Sequence, residues 1–136
     1  MKRQVVLCAL IVLVMATSAR AEVSRTFPVP FERMWTVAPA VLRQLGWDID
    51  KADHDIGWIT TDSRVVEGED YGVYAKGTRH RLRLIIKAAG AGKTTVTVER
   101  TLFKRERILF IDNDEPLTTT DNAVEQATLA AIGKAL

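Results

Sequence analysis

Sulfur and imidazole chemistry are nearly missing from this chain. Cys8 is the only cysteine among 136 residues, which excludes a disulfide framework and any two-cysteine metal or redox motif. His54 and His80 are the only histidines, and their separation does not fit a paired-ligand zinc motif. Ser18, Ser24 and Ser63 are the only serines, and none has the G-x-S-x-G context of a nucleophile elbow. No dinucleotide fingerprint or phosphate loop occurs. Gly90-Ala91-Gly92-Lys93-Thr94-Thr95 ends like a phosphate loop but lacks its spacing. Asp112-Asn113-Asp114-Glu115 begins like a calcium loop, but Pro116 stands where a glycine and more ligands are needed. Asp53-His54-Asp55 lacks a second histidine at ligand spacing, and both acidic stretches read as turn chemistry. The expectation is a non-enzymatic protein with no catalytic residues, no cofactor and no metal.

Long apolar runs are also absent, with one exception. Lys2 and Arg3 precede an unbroken apolar run from Val5 to Ala16, and Ala19-Arg20-Ala21 follows. This is the pattern of a secretory signal peptide over residues 1–21, cut after Ala21. The run is well below the roughly 20 residues that a spanning helix needs. A retained N-terminal anchor is the alternative. Lipidation of Cys8 fits poorly, because Leu7 precedes it and most of the apolar run follows it. The expected address is the periplasm, with no transmembrane segment after cleavage. Removal of residues 1–21 takes away Lys2, Arg3 and Arg20 but no acid, so the net charge of +2 becomes −1. The basic character belongs to the precursor and gives no support to nucleic-acid binding. Residues 22–136 suffice for a single domain with its own core.

Val23 to Val29 reads as a first strand. Phe31, Met34, Trp35, Ala38, Leu42 and Leu45 then recur at helical spacing, and Gly46 is a natural stop. Pro39 inside this pattern implies a kink or two shorter helices, the kink being preferred. Trp47–Ala52 and Trp58–Val66 read as strands around a turn at residues 53–57. Residues 66–77 read as a loop carrying Tyr71 and Tyr74. Arg79–Ala88 alternates with period two. A glycine hairpin at residues 89–93 leads into a strand from Thr94 to Phe103, with Val96, Val98 and Leu102 inward and a loss of phase at Leu102-Phe103 that suggests a bulge or a strand end. Arg107–Ile111 is a further strand candidate and 112–116 a loop. A last helix, capped by Thr120 or Asp121, runs to about Ala135 with a stripe of Val124, Thr128, Ala131, Ile132 and Leu136. This order predicts an α+β fold, an antiparallel sheet with a long N-terminal helix and a C-terminal helix packed on one face.

Phe31-Glu32-Arg33-Met34-Trp35, Leu42, Leu45-Gly46-Trp47, Asp53, Gly57 and Ile59-Thr60-Thr61-Asp62 together resemble the globular domains of BamC, an accessory lipoprotein of the outer-membrane β-barrel assembly machinery. The shared pattern is an early helix bearing a Trp, a Leu-Gly exit, and an Asp/Gly turn into an I-T-T strand, over about residues 27–63. The resemblance implies a helix-grip fold, in which a long helix lies across a curved antiparallel sheet. It also implies a role beside other envelope proteins. The chain departs from that family in having no lipobox, one domain in place of two, and no long N-terminal unstructured segment.

Charge is sorted along the chain. Residues 47–70 carry eight acids against Lys51 and Arg64, and residues 76–107 carry ten bases against Glu99 and Glu106. Arg81, Arg83 and Lys87 share the outward face of one strand. They can form a basic face for an acidic partner, anionic lipid or lipopolysaccharide phosphates, or pair across the sheet with the acids of residues 47–70. Trp58 beside them is an anchor if it points outward and a core residue if it points inward. Tyr71 and Tyr74 either touch a partner or pack their own loop. The candidate partner-binding residues are therefore Trp58, Tyr71, Tyr74, Arg81, Arg83 and Lys87. The implied function is a periplasmic interaction module that docks an envelope protein. The alternative is a carrier of a small apolar ligand held between helix and sheet.

Overall fold

The computed structural model describes residues 21–66, 76–119 and 121–136. The proposed leader, apart from Ala21, and the loop bearing Tyr71 and Tyr74 lie outside these residues. In chain order the elements are β1 (Ala21–Phe27), α1 (Phe31–Gln44), β2 (Ile49–Asp53), β3 (Trp58–Thr61), β4 (Arg64–Val65), β5 (Lys76–Ala88), β6 (Thr94–Ile108), β7 (Ile111–Leu117) and α2 (Ala123–Ala135). The strands form one antiparallel sheet in the order β1-β6-β5-β3-β2, with β4 also on β5 and β7 also on β6.

The frame of the sheet is the β5–β6 hairpin, in unbroken register from Ala88↔Thr94 to Lys76↔Glu106. Period-two alternation sends His80, Leu82, Leu84 and Ile86 of β5 and Val96, Val98 and Arg100 of β6 to one face, where all are buried. Along the other edge of β6, β1 pairs with residues 94–100 and β7 with residues 102–108. Both helices pack on the buried face. Met34, Ala38, Val41 and Leu42 from α1 and Leu129 and Ile132 from α2 join one cluster with Ile59, Leu82, Leu84, Ile86, Val96 and Val98. Among the described residues, no helix lies on the opposite face.

Helix α1 ends as its sequence requires. Gly46, at φ +85°, is the residue after the cap. The Trp47 N–H donates to the Leu42 carbonyl at 2.9 Å and the Gly46 N–H to the Arg43 carbonyl at 3.0 Å, a Schellman closure. Pro39 is accommodated within one continuous helix, although its ring nitrogen has no hydrogen to give the Trp35 carbonyl.

The structure corrects several expectations. The N-terminal helix is not long: α1 has 14 residues, about 21 Å, against a 15-residue β6 of about 50 Å. The strand expected over Trp58–Val66 is divided into β3 and β4, which are separated at Asp62-Ser63 and both pair with β5. The change of phase at Phe103 is neither a bulge nor an end. Register holds through Ile108, and Phe103 is buried on the opposite face. The chain reverses at Leu109-Phe110, so Arg107–Ile111 is not one strand, and residues 112–116 are not a loop but part of β7. In α2 the expected stripe does face the core, with Thr128 and Ile132 buried and Val124, Ala131 and Leu136 packed at its margin, but the buried strip also takes in Glu125 and Leu129.

Candidate functional site

The face without helices is built from alternate residues of β3, β5 and β6. Trp58 and Thr60 come from β3, Arg81, Arg83, Ile85 and Lys87 from β5, and Thr97, Glu99, Thr101, Phe103 and Arg105 from β6. Because Ile59 and Thr61 are buried, Trp58 must point outward, and it is 40% exposed. Of the two readings of Trp58, the outward one is observed.

Cations and aromatic rings interleave across this face. The Arg83 guanidinium lies 4.9 Å from the centre of the Trp58 ring and donates through Nε to Glu99 Oε2 at 2.7 Å, with a second contact from its terminal nitrogen. Phe103 lies between two guanidiniums, Arg81 at 4.9 Å and Arg105 at 5.4 Å. Such contacts are worth roughly 0.5–1 kcal/mol each at exposed sites, which favours an upright row of side chains. Arg105 also holds Asp114 of β7 in a two-point contact, at 2.8 and 3.1 Å. That hydrogen bond keeps the Asp114 carboxyl below its ordinary range and the Arg105 guanidinium above its own.

The row of bases is thus unevenly committed. Arg83 is neutralised by Glu99 on the neighbouring strand, not by a described acid of residues 47–66. Among the described residues, Arg81 and Lys87 form no ion pair. Between Trp58 and Phe103 the face dips into an open groove of about 290 Å³, lined by Thr60, Arg81, Arg83, Glu99 and Thr101. The Arg81 guanidinium, without an ion-pair partner among the described residues and flanked by two hydroxyls, suits a carboxylate or phosphate oxygen, and the exposed indole beside the groove suits an apolar side chain.

A second polar cluster, on the buried face, was not foreseen. Arg100 donates to Glu125 Oε1 at 2.7 Å, to the Asp121 carbonyl at 3.1 Å and to His80 Nδ1 at 3.4 Å. Glu125 is fully buried and Arg100 is 8% exposed. The accepting Nδ1 leaves the His80 proton on Nε2. Burial, then the charges of Arg100 and Arg64, lowers His80 from 6.5 to about 4. His80 also packs on Trp47 at 4.8 Å, and Arg64 covers that ring at 3.6 Å. Burial raises the Glu125 carboxyl above its usual range against the opposing pull of Arg100. Parity carried the signal: Arg100 is in phase with Val96 and Val98, and Glu125 is one helical turn from Leu129. The cluster ties α2 to the sheet.

The suggested ligand stretches have structural partners. Asp53 accepts the N–H groups of Asp55 and Ile56 at 3.1 and 3.2 Å, and His54 contacts Glu32 at 2.9 Å while meeting Phe31 and Trp35 edge-on. Asp114 is occupied by Arg105. Among the described residues, no three metal-ligating side chains gather, and no helix is long and apolar enough to cross a membrane. Compared with protein families and with curated proteins, the chain matches no family model and no curated relative.

Proposed function

We propose that this chain is a non-enzymatic, periplasmic interaction module that docks a protein of the cell envelope through the open face of its sheet, in the service of outer-membrane protein assembly or envelope biogenesis. The observation that carries this reading is the exposed Trp58 set beside a groove with Arg81, which has no ion-pair partner among the described residues. Exposed aromatic residues and arginines are the side chains that most often anchor interfaces. The leader-like N-terminus and the resemblance to BamC domains support the envelope setting. Cleavage after Ala21 would leave Glu22–Phe27 of β1 in place on β6.

The partner segment that fits is acidic with an apolar residue, its carboxylate at Arg81 and its apolar side chain on the Trp58 indole. Lys87 extends the same positive face. Arg83 contributes by holding the indole upright. The apolar-carrier alternative draws no support from the space between helices and sheet, where Met34, Leu42, Leu84 and Leu129 belong to one buried cluster.

The test is the double variant Trp58→Ala, Arg81→Glu. It leaves the core beneath the helices untouched and removes only the Arg81 cover from one side of the Phe103 ring, so its thermal midpoint should fall only slightly below that of the parent. Partner capture in envelope extracts should fall by more than about tenfold. Undiminished capture would show that this face is not the docking surface.

A further inference from the structure

The β6–β7 hairpin carries a feature that the open face does not explain. The described pairing of β5 with β6 stops at Glu106, and the hairpin goes on to a two-residue turn between the partners Ile108 and Ile111. At this tip Leu109 is 85%, Phe110 98% and Ile111 72% exposed. Large apolar side chains exposed together mark an interaction site. Leu109 also has φ +58°, a conformation that glycine adopts freely and a leucine side chain resists. Two-residue hairpin turns normally place Gly, Asn or Asp at such positions. A strained leucine and an adjoining phenylalanine at a site where glycine would fold more easily indicate that the side chains themselves are used.

We propose that Leu109, Phe110 and Ile111 form a wedge that inserts into the interfacial region of a zwitterionic phospholipid bilayer. Two observations favour lipid over a protein pocket. First, the tip is apolar without a preferred side: consecutive residues point in different directions, which suits a fluid hydrocarbon boundary better than a one-sided cleft. Second, the collar behind the tip carries both signs of charge in register, Lys104 opposite Glu115 and Arg105 opposite Asp114. A phospholipid headgroup with a phosphate and an ammonium matches such a collar, and an anionic surface does not. A second copy paired edge to edge along β7 is disfavoured, since Asp112, Asp114 and Glu115 would meet the same acids and Pro116 has no N–H to donate. This proposal does not rest on the docking role of the open face.

The experiment uses the full chain carrying Phe110→Trp, with the parent supplying the background of Trp35, Trp47 and Trp58. It is mixed with phosphatidylethanolamine–phosphatidylcholine vesicles whose acyl chains are brominated. The position-110 indole is expected to emit at shorter wavelength and to be quenched by the bromines, equally at low and high salt. Leu109→Gly in the same background is expected to raise the thermal midpoint and reduce the quenching. Emission at position 110 that remains that of a water-exposed indole would overturn the proposal, whether the chain ignores the vesicles or binds them through residues 1–20. Quenching that disappears in high salt would also overturn it, as would a photocrosslinker at position 110 that yields only a protein adduct.

Discussion

His80 shows what one side chain contributes when its surroundings are cationic. Its neighbours are Arg100, Arg64 and the Trp47 ring, and the neutral imidazole accepts from Arg100. Its pKa is lowered from 6.5 to about 4. The unfolded chain therefore takes up a proton first, so the stability due to neutral His80 is fully present above pH 6.5. It is lost as the pH falls towards about 4, by up to about 3 kcal/mol. The raised Glu125 carboxyl acts in the opposite direction, because acidification relieves its buried charge. His80→Gln removes only the first effect. Denaturant titrations from pH 6.5 to pH 4 should show the parent losing stability relative to this variant; parallel curves would contradict the assignment.

At the scale of elements, the Arg100–Glu125 pair fastens α2 to β6. Removing one partner of a buried ion pair leaves an uncompensated charge, at a cost of about 3–5 kcal/mol, whereas replacing both by apolar residues is often near neutral. Arg100→Met and Glu125→Leu are therefore expected to be strongly destabilising singly and close to the parent together, as read by urea unfolding midpoints. Additive losses would show that the pair does not act as a unit. The elements also show what was legible in the sequence. Strands β5 and β6 announced themselves by alternation, and Gly46 marked the end of α1 because only a positive φ closes that Schellman turn. The end of β6 was not legible. The hydrophobic pattern assumes one buried face, and at Phe103 the buried residue changes sides because Arg81 and Arg105 cover it. Strand β7 was hidden for a related reason: all its residues are exposed, so no alternation distinguishes it from a loop. Glu125 was passed over because a glutamate on a helix is normally solvated, and its counter-ion lies on a distant strand.

Across the whole molecule, both helices and one face of the sheet are spent on a single core. Among the described residues, the surfaces left for recognition include the opposite sheet face and the hairpin tip. The open face was partly legible, since parity placed Arg81, Arg83 and Lys87 together. The commitment of Arg83 to Glu99 depends on strand register, which the sequence does not specify. Trp58 could be oriented only once Ile59 and Thr61 were known to be buried. The central claim is that partners meet this face and not the helical side. Its most direct measurement is photocrosslinking in living cells from position 58, with position 36 on the exposed side of α1 as the control. The expected result is an adduct with an envelope protein from position 58 and none from position 36. Adducts from position 36 alone would contradict the claim.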